Sequence, residues 1–171
     1  MNPELQILRR IRWLTSLFIL GLVLSGATAI PLAAEVDWIV NITGAQLTTL
    51  PWGTPGPGWA RWLLTVQAAL HETGEQSAFL FYGTDWLAFG HFVIAIAFIG
   101  ALRDPARNVW LFTFGMIACA LVVPFALVMG GFRGIPLWWR LIDCLFGMVG
   151  FVPLWMCRCW TLRLQGSGSK E

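Results

Sequence analysis

Hydrophobic and polar positions in this chain are sorted into blocks. Four apolar runs occupy about residues 13–32, 84–102, 109–130 and 137–160, the first two separated by a long connection and the others by short charged or glycine- and proline-containing stretches. At about 1.5 Å per helical residue, such runs cross most of a hydrocarbon layer about 30 Å thick. The second run is the clearest, with no charged residue between Trp86 and Leu102 before the polar turn Arg103-Asp104-Pro105-Ala106-Arg107-Asn108. The pattern predicts an all-α polytopic membrane protein, a four-transmembrane-helix bundle forming one membrane domain over residues 1–165, with a flexible tail at 166–171. Pro124 predicts a kink in the third span, and Pro153 sits near the far end of the fourth.

Residues 33–83 are too polar and too rich in proline and glycine to cross. The cluster Leu50-Pro51-Trp52-Gly53-Thr54-Pro55-Gly56-Pro57-Gly58 reads as consecutive turns. After it Trp59, Trp62, Leu63, Val66 and Leu70 recur at helical spacing, which predicts an amphipathic extracytoplasmic helix over 59–73, stopped at Gly74. Its tryptophans suit the membrane interface or a cover over the bundle.

Arg9, Arg10 and Arg12 precede the first run. A basic head, an apolar middle and Ala27-Thr28-Ala29 also describe a cleavable signal peptide. The apolar stretch continues through Ile30 and Leu32, and Gly21, Ser25 and Thr28 share a face suited to helix packing, so an uncleaved span is expected. With both termini cytoplasmic, one side carries Arg9, Arg10, Arg12, Arg103, Arg107, Arg158, Arg163 and Lys170, and the other only Arg61, Arg133 and Arg140. The positive-inside rule selects that orientation.

Composition agrees. Of 171 residues 57% are hydrophobic and 12% charged, about half the charge of a soluble domain. Eleven tryptophans fit a chain with two membrane interfaces; Trp138, Trp139, Trp155 and Trp160 read as interfacial anchors. Cys119, Cys144, Cys157 and Cys159 form no C-x-x-C and read as buried free thiols.

Ionisable groups inside a membrane helix are costly, so Asp85, His91, Arg140 and Asp143 define the candidate site. Asp85, Ala88, His91 and Ala95 fall within about 120° of arc on one helix, and Arg140, Asp143, Gly147 and Gly150 within about 80° on another. The third run carries a small-residue stripe of Gly115, Ala118, Cys119 and Ala126. These positions predict an outward-facing polar pocket in a close-packed bundle, covered by the 59–73 helix with His71 and Glu72. Arg140 is expected to pair with Asp143 and Asp85. The same groups also allow a bland reading, with Arg140 and Asp143 neutralising each other and Asp85 serving the helix N-terminus.

No G-x-S-x-G, H-E-x-x-H or P-loop is present. No metal site or cofactor is expected, and anionic lipid head groups rather than nucleic acid suit the basic head. The segments FYGTDWLAFGHFVIAIAFIGALRDPARNVW, FGMIACALVVPFAL and RGIPLWWRLIDCLFG resemble a group of small, uncharacterised bacterial inner-membrane proteins, over about residues 82–155. The resemblance implies a bacterial inner membrane and brings no activity or ligand. The expected partners are the lipid bilayer, a small polar ligand or lipid head group, and a membrane-protein partner. The expected function is a binding or accessory membrane protein. The alternatives are a membrane enzyme or proton-coupled carrier using Asp85, His91 and Arg140, or a structural subunit whose charges lock its own helices.

Overall fold

The computed structural model describes residues 3–48 and 56–168, and among them all regular structure is helical. Most of the predicted turn cluster at 50–58 lies outside the described residues. α1 (Pro3–Ala29) begins well before the apolar run and takes in Arg9, Arg10 and Arg12, because nothing in the head breaks a helix already nucleated downstream. It stops ahead of Pro31, which disfavours helical backbone in the residue before it.

The chain re-enters a helix at once, in α2 (Leu32–Thr43). The reading of residues 33–83 as a non-crossing connection names no helix here. Glu35 lies in its first turn, and Val36 and Val40, one turn apart, are its buried residues. Gly44 ends it at φ 63°, a left-handed conformation that favours glycine. α3 (Gly58–Gln76) contains the predicted 59–73 helix and passes through Gly74. α4 (Tyr82–Arg103) and α5 (Val109–Phe132) match the second and third predicted spans closely. α6 (Leu137–Gly168) runs beyond the predicted end at 160 and through the start of the predicted flexible tail. Thr161 is fully buried there, Leu164 packs on the core, and Gln165 Nε2 donates to the Ala106 carbonyl at 2.7 Å.

α1, α4, α5 and α6 are each long and apolar enough to cross a membrane. Their surfaces stay apolar: in the most hydrophobic window of α5 only 11% of residues are buried. The rest of that face needs an apolar surrounding, which lipid supplies.

The chain forms two compact units, residues 1–22 with 94–171 and residues 23–93. In the first, all four long helices meet at one core of Ile11 from α1, Phe98 and Ala101 from α4, Phe112 from α5, and Leu154 and Cys157 from α6. Phe98 is its centre, with the Phe18 ring at 4.8 Å and the Phe112 ring at 6.5 Å. Trp160, predicted as an interfacial anchor, packs against this core. Two buried hydroxyls stay satisfied inside their own helices: Thr15 donates to the Ile11 carbonyl and Thr161 to the Cys157 carbonyl, each at 2.8 Å.

Part of the predicted small stripes forms the α5–α6 seam: Cys119 meets Gly147 and Gly150, while Ala118 is exposed. A Cβ on Gly147 would stand 2.5 Å from the Cys119 carbonyl oxygen, and one on Gly150 would stand 3.0 Å from Cys119 Sγ. Bare glycine faces let the two backbones approach to van der Waals contact. The hairpin between them closes on Gly134 at φ 69°, with Ile135 N donating to the Gly130 carbonyl and Gly134 N to the Gly131 carbonyl, the bonding of a Schellman end.

In the second unit α2 packs on α3, with Val36, Val40, Ala60 and Leu63 buried. Of the five residues of the expected apolar face, Leu63 is buried, Trp62, Val66 and Leu70 are half-buried, and Trp59 is exposed. The predicted packing face of the first span is not the one used. Gly21, Ser25 and Thr28 are exposed, and the buried contact is Gly26, where a Cβ would lie 2.8 Å from the Phe92 ring and 3.0 Å from the Ala88 carbonyl. Gly26 packs there because its missing side chain leaves room for the Phe92 ring and the Ala88 carbonyl.

Candidate functional site

The six predicted site residues separate into four situations. His71, on α3, is hydrogen-bonded to a residue that the sequence reading did not single out. Its Nε2 donates to Asp37 Oδ1 at 2.9 Å, and Gln67 Nε2, one turn earlier on the same face of α3, donates to the same oxygen at 2.7 Å. Asp37 comes from α2 and was hidden because α2 was. The usable signal was the Gln67/His71 spacing of four, which presents two donors on one face. Glu72 accepts a long 3.4 Å bond from Gln76. The polar groups of the predicted cover are thus engaged by Asp37 and Gln76, not by Asp85 or His91.

The two donors set the chemistry of Asp37. The Gln67 amide, then the His71 ring, hold its carboxyl below the ordinary aspartate range near 3.8, against a smaller opposing effect of burial. A carboxyl depressed in the folded state contributes stability that is fully present above its unfolded value and fades as pH falls through the folded one. The α2–α3 contact is therefore expected to hold at pH 5 and to loosen below about pH 3.8. Hydrogen exchange of the α2 and α3 amides at pH 5 and pH 3 checks this; equal protection at both would refute it.

Asp85 lies in the first turn of α4, where an acid is favoured by the helix dipole. It is exposed and makes no hydrogen bond or ion pair among the described residues. His91 lies six residues on, about 9 Å along the axis. It is half-buried beside Gly26 of α1, where a Cβ on Gly26 would stand 3.1 Å from its Cβ. Its Nδ1 lies 2.8 Å from the Leu87 carbonyl. A carbonyl only accepts, so Nδ1 carries the hydrogen. In the neutral ring Nε2 is then a lone pair, and it has no partner among the described residues.

Arg140 and Asp143 belong to the first unit, and the expected ion pair between them does not form among the described residues. Arg140 instead lies back over the end of α5. Its stem fills the space above Gly130, where a Cβ would meet Arg140 Cδ at 2.5 Å, and its Nη1 donates to the Leu127 carbonyl at 3.1 Å. A cation near the carbonyl end of a helix is favoured by the dipole. Arg140 Nε is buried with no hydrogen-bond partner. Asp143, half-buried one turn further along α6, has no partner among the described residues. Sequence spacing placed the two side chains on one face; it could not show that Gly130 opens a better berth for the arginine stem.

Among the described residues no group of three or more His, Cys, Asp or Glu is placed to hold a metal ion. The four cysteines are free thiols, two of them fully buried, in accord with the sequence reading. No family model, no curated protein and no solved structure matches the chain. Its class therefore rests on the fold: four helices of membrane-crossing length and apolarity define a multi-pass α-helical membrane protein.

Proposed function

We propose that this chain is a binding or accessory protein of a bacterial inner membrane, with both termini cytoplasmic and a polar site for a small ligand or lipid head group in the outer half of α4. The observation that carries the reading is His91. An imidazole inside an apolar helix, fixed in one tautomer with Nε2 unspent, costs free energy unless something polar reaches it. Asp85, also unpartnered, marks the approach from the helix end. Together they offer one anionic and one neutral acceptor, suited to a ligand that donates hydrogen bonds or carries positive charge. Arg140, spent on α5, stands outside this minimal site.

Access is the test. In Asp85→Cys and His91→Cys chains, a membrane-impermeant thiol reagent added from the outer side should label both positions above the wild-type background. Labelling at 85 alone would reduce Asp85 to a helix-end residue and end the reading. Topology is tested separately: reporter fusions at Asn108 and at the C terminus should read cytoplasmic, and one at Gly56 outside. A cytoplasmic signal at Gly56 would reverse the orientation.

A further inference from the structure

We propose that the exposed face of α1 binds one anionic phospholipid, its phosphate held by Arg9 and Arg12, which lie three apart on one face, and an acyl chain lying along Trp13, Leu17 and Leu20. This inference uses none of the residues of the α4 site and stands apart from it.

The helix has two unlike faces. Ile11 and Thr15 are fully buried in the core of their unit. On the opposite side Trp13, Leu17 and Leu20 are 63%, 48% and 52% exposed. On that open surface Arg9, Arg12, Trp13, Ser16, Leu17 and Leu20 form one continuous strip, and Gln6 and Arg10 border Arg9 and Trp13 on the other side. The surface thus changes from cationic to aromatic to aliphatic in the order that a phospholipid changes from phosphate to glycerol to acyl chain. Lengths agree as well. Arg9 to Leu20 is about 17 Å along the axis, close to one leaflet of a hydrocarbon core about 30 Å thick.

Charge complementarity selects an anionic lipid. Arg9, Arg10 and Arg12 have no hydrogen-bond or ion-pair partner among the described residues. Of the other cations of the same unit, Arg107 pairs with Asp104 at 3.4 Å and Arg158 Nε donates to Thr113 Oγ1 at 3.0 Å, whereas Arg103 is exposed with no partner among the described residues and has no apolar strip like that of Trp13, Leu17 and Leu20 assigned to it. Guanidinium groups offer parallel N–H donors that match two oxygens of a phosphate. Trp13 sits one turn below Arg9, at the depth where an indole ring meets the head-group boundary. A zwitterionic lipid offers the same phosphate but places its own cation against Arg9 and Arg12.

The full-length chain in mild detergent is mixed with phosphatidylglycerol and phosphatidylcholine at equal mole fraction, and native mass spectrometry counts the lipids retained. The wild type should keep one phosphatidylglycerol in preference. Replacing Arg9 and Arg12 by Gln should lower that preference about fivefold per arginine. Arg103→Gln with Arg107→Gln should leave it unchanged. Salt gives an arm that needs no variant: the wild-type preference should collapse at about 1 M salt, where the screening length is about 3 Å. Three results would overturn the site: no wild-type preference, a preference insensitive to salt, or equal loss in the Arg103/Arg107 variant, which would reduce the effect to general surface charge.

Discussion

Gly147→Ala is expected to be among the most damaging single-methyl changes in the chain. The new Cβ would lie 2.5 Å from the Cys119 carbonyl oxygen and 3.3 Å from Val122 Cβ. The first neighbour is backbone and cannot rotate away, so α5 and α6 must separate. Overpacking of a close contact costs about 1–3 kcal/mol, and a backbone obstacle puts this case at the upper end. Gly115→Ala should cost less, because the atom it meets first, at 2.7 Å, ends the flexible Leu154 side chain. Gly21→Ala meets nothing within 4 Å and should leave stability unchanged or raise it. Unfolding in mixed detergent micelles orders the three variants. If Gly147→Ala unfolds at the wild-type midpoint, the small-residue seam does not hold the helix pair.

That seam was legible in the sequence, since it is a matter of residue size at helical spacing, and so were the four long helices. Hydropathy reports length and apolarity directly, and α4 and α5 end within two residues of the predicted limits. What the pattern could not convey was choice between equivalent faces. The first span carries small residues on two faces, and only Gly26 finds the Ala88 carbonyl close by. α2 escaped for another reason. It has only twelve residues, and Glu35, Asp37 and Asn41 interrupt its apolar positions, so a window of membrane-spanning length passes over it, and its helical state depends on packing Val36 and Val40 against α3.

The candidate site divides along the same line. Asp85 and His91 were found because an ionisable residue in an apolar run is visible to simple inspection. Asp37 was missed because its significance lies in Gln67 and His71, thirty and thirty-four positions away. Pairings of that length are set by how two helices meet, which spacing along one helix cannot encode.

The sharpest separation of role from spacing concerns Arg140 and Asp143. Three apart on one helix, they should behave as coupled charges if they neutralise each other. The geometry predicts the opposite. Arg140→Ala removes a charged donor to the Leu127 carbonyl and the stem that covers Gly130. A hydrogen bond made by a charged group contributes about 1.5–3 kcal/mol, and the lost stem adds to that, so a fall in stability of about 2–3 kcal/mol is expected. Arg140→Met keeps most of the stem and should fall between the alanine variant and the wild type. Asp143→Asn removes a carboxyl with no partner among the described residues and should stay within about 0.5 kcal/mol of the wild type. In a double-mutant cycle the Arg140→Ala and Asp143→Asn effects should then add, with no coupling beyond about 0.5 kcal/mol. Coupling well above that value would restore the ion pair and displace α5 as the partner of Arg140. Additivity would leave the arginine as a fastening at the α5–α6 turn, and the search for a ligand with Asp85 and His91.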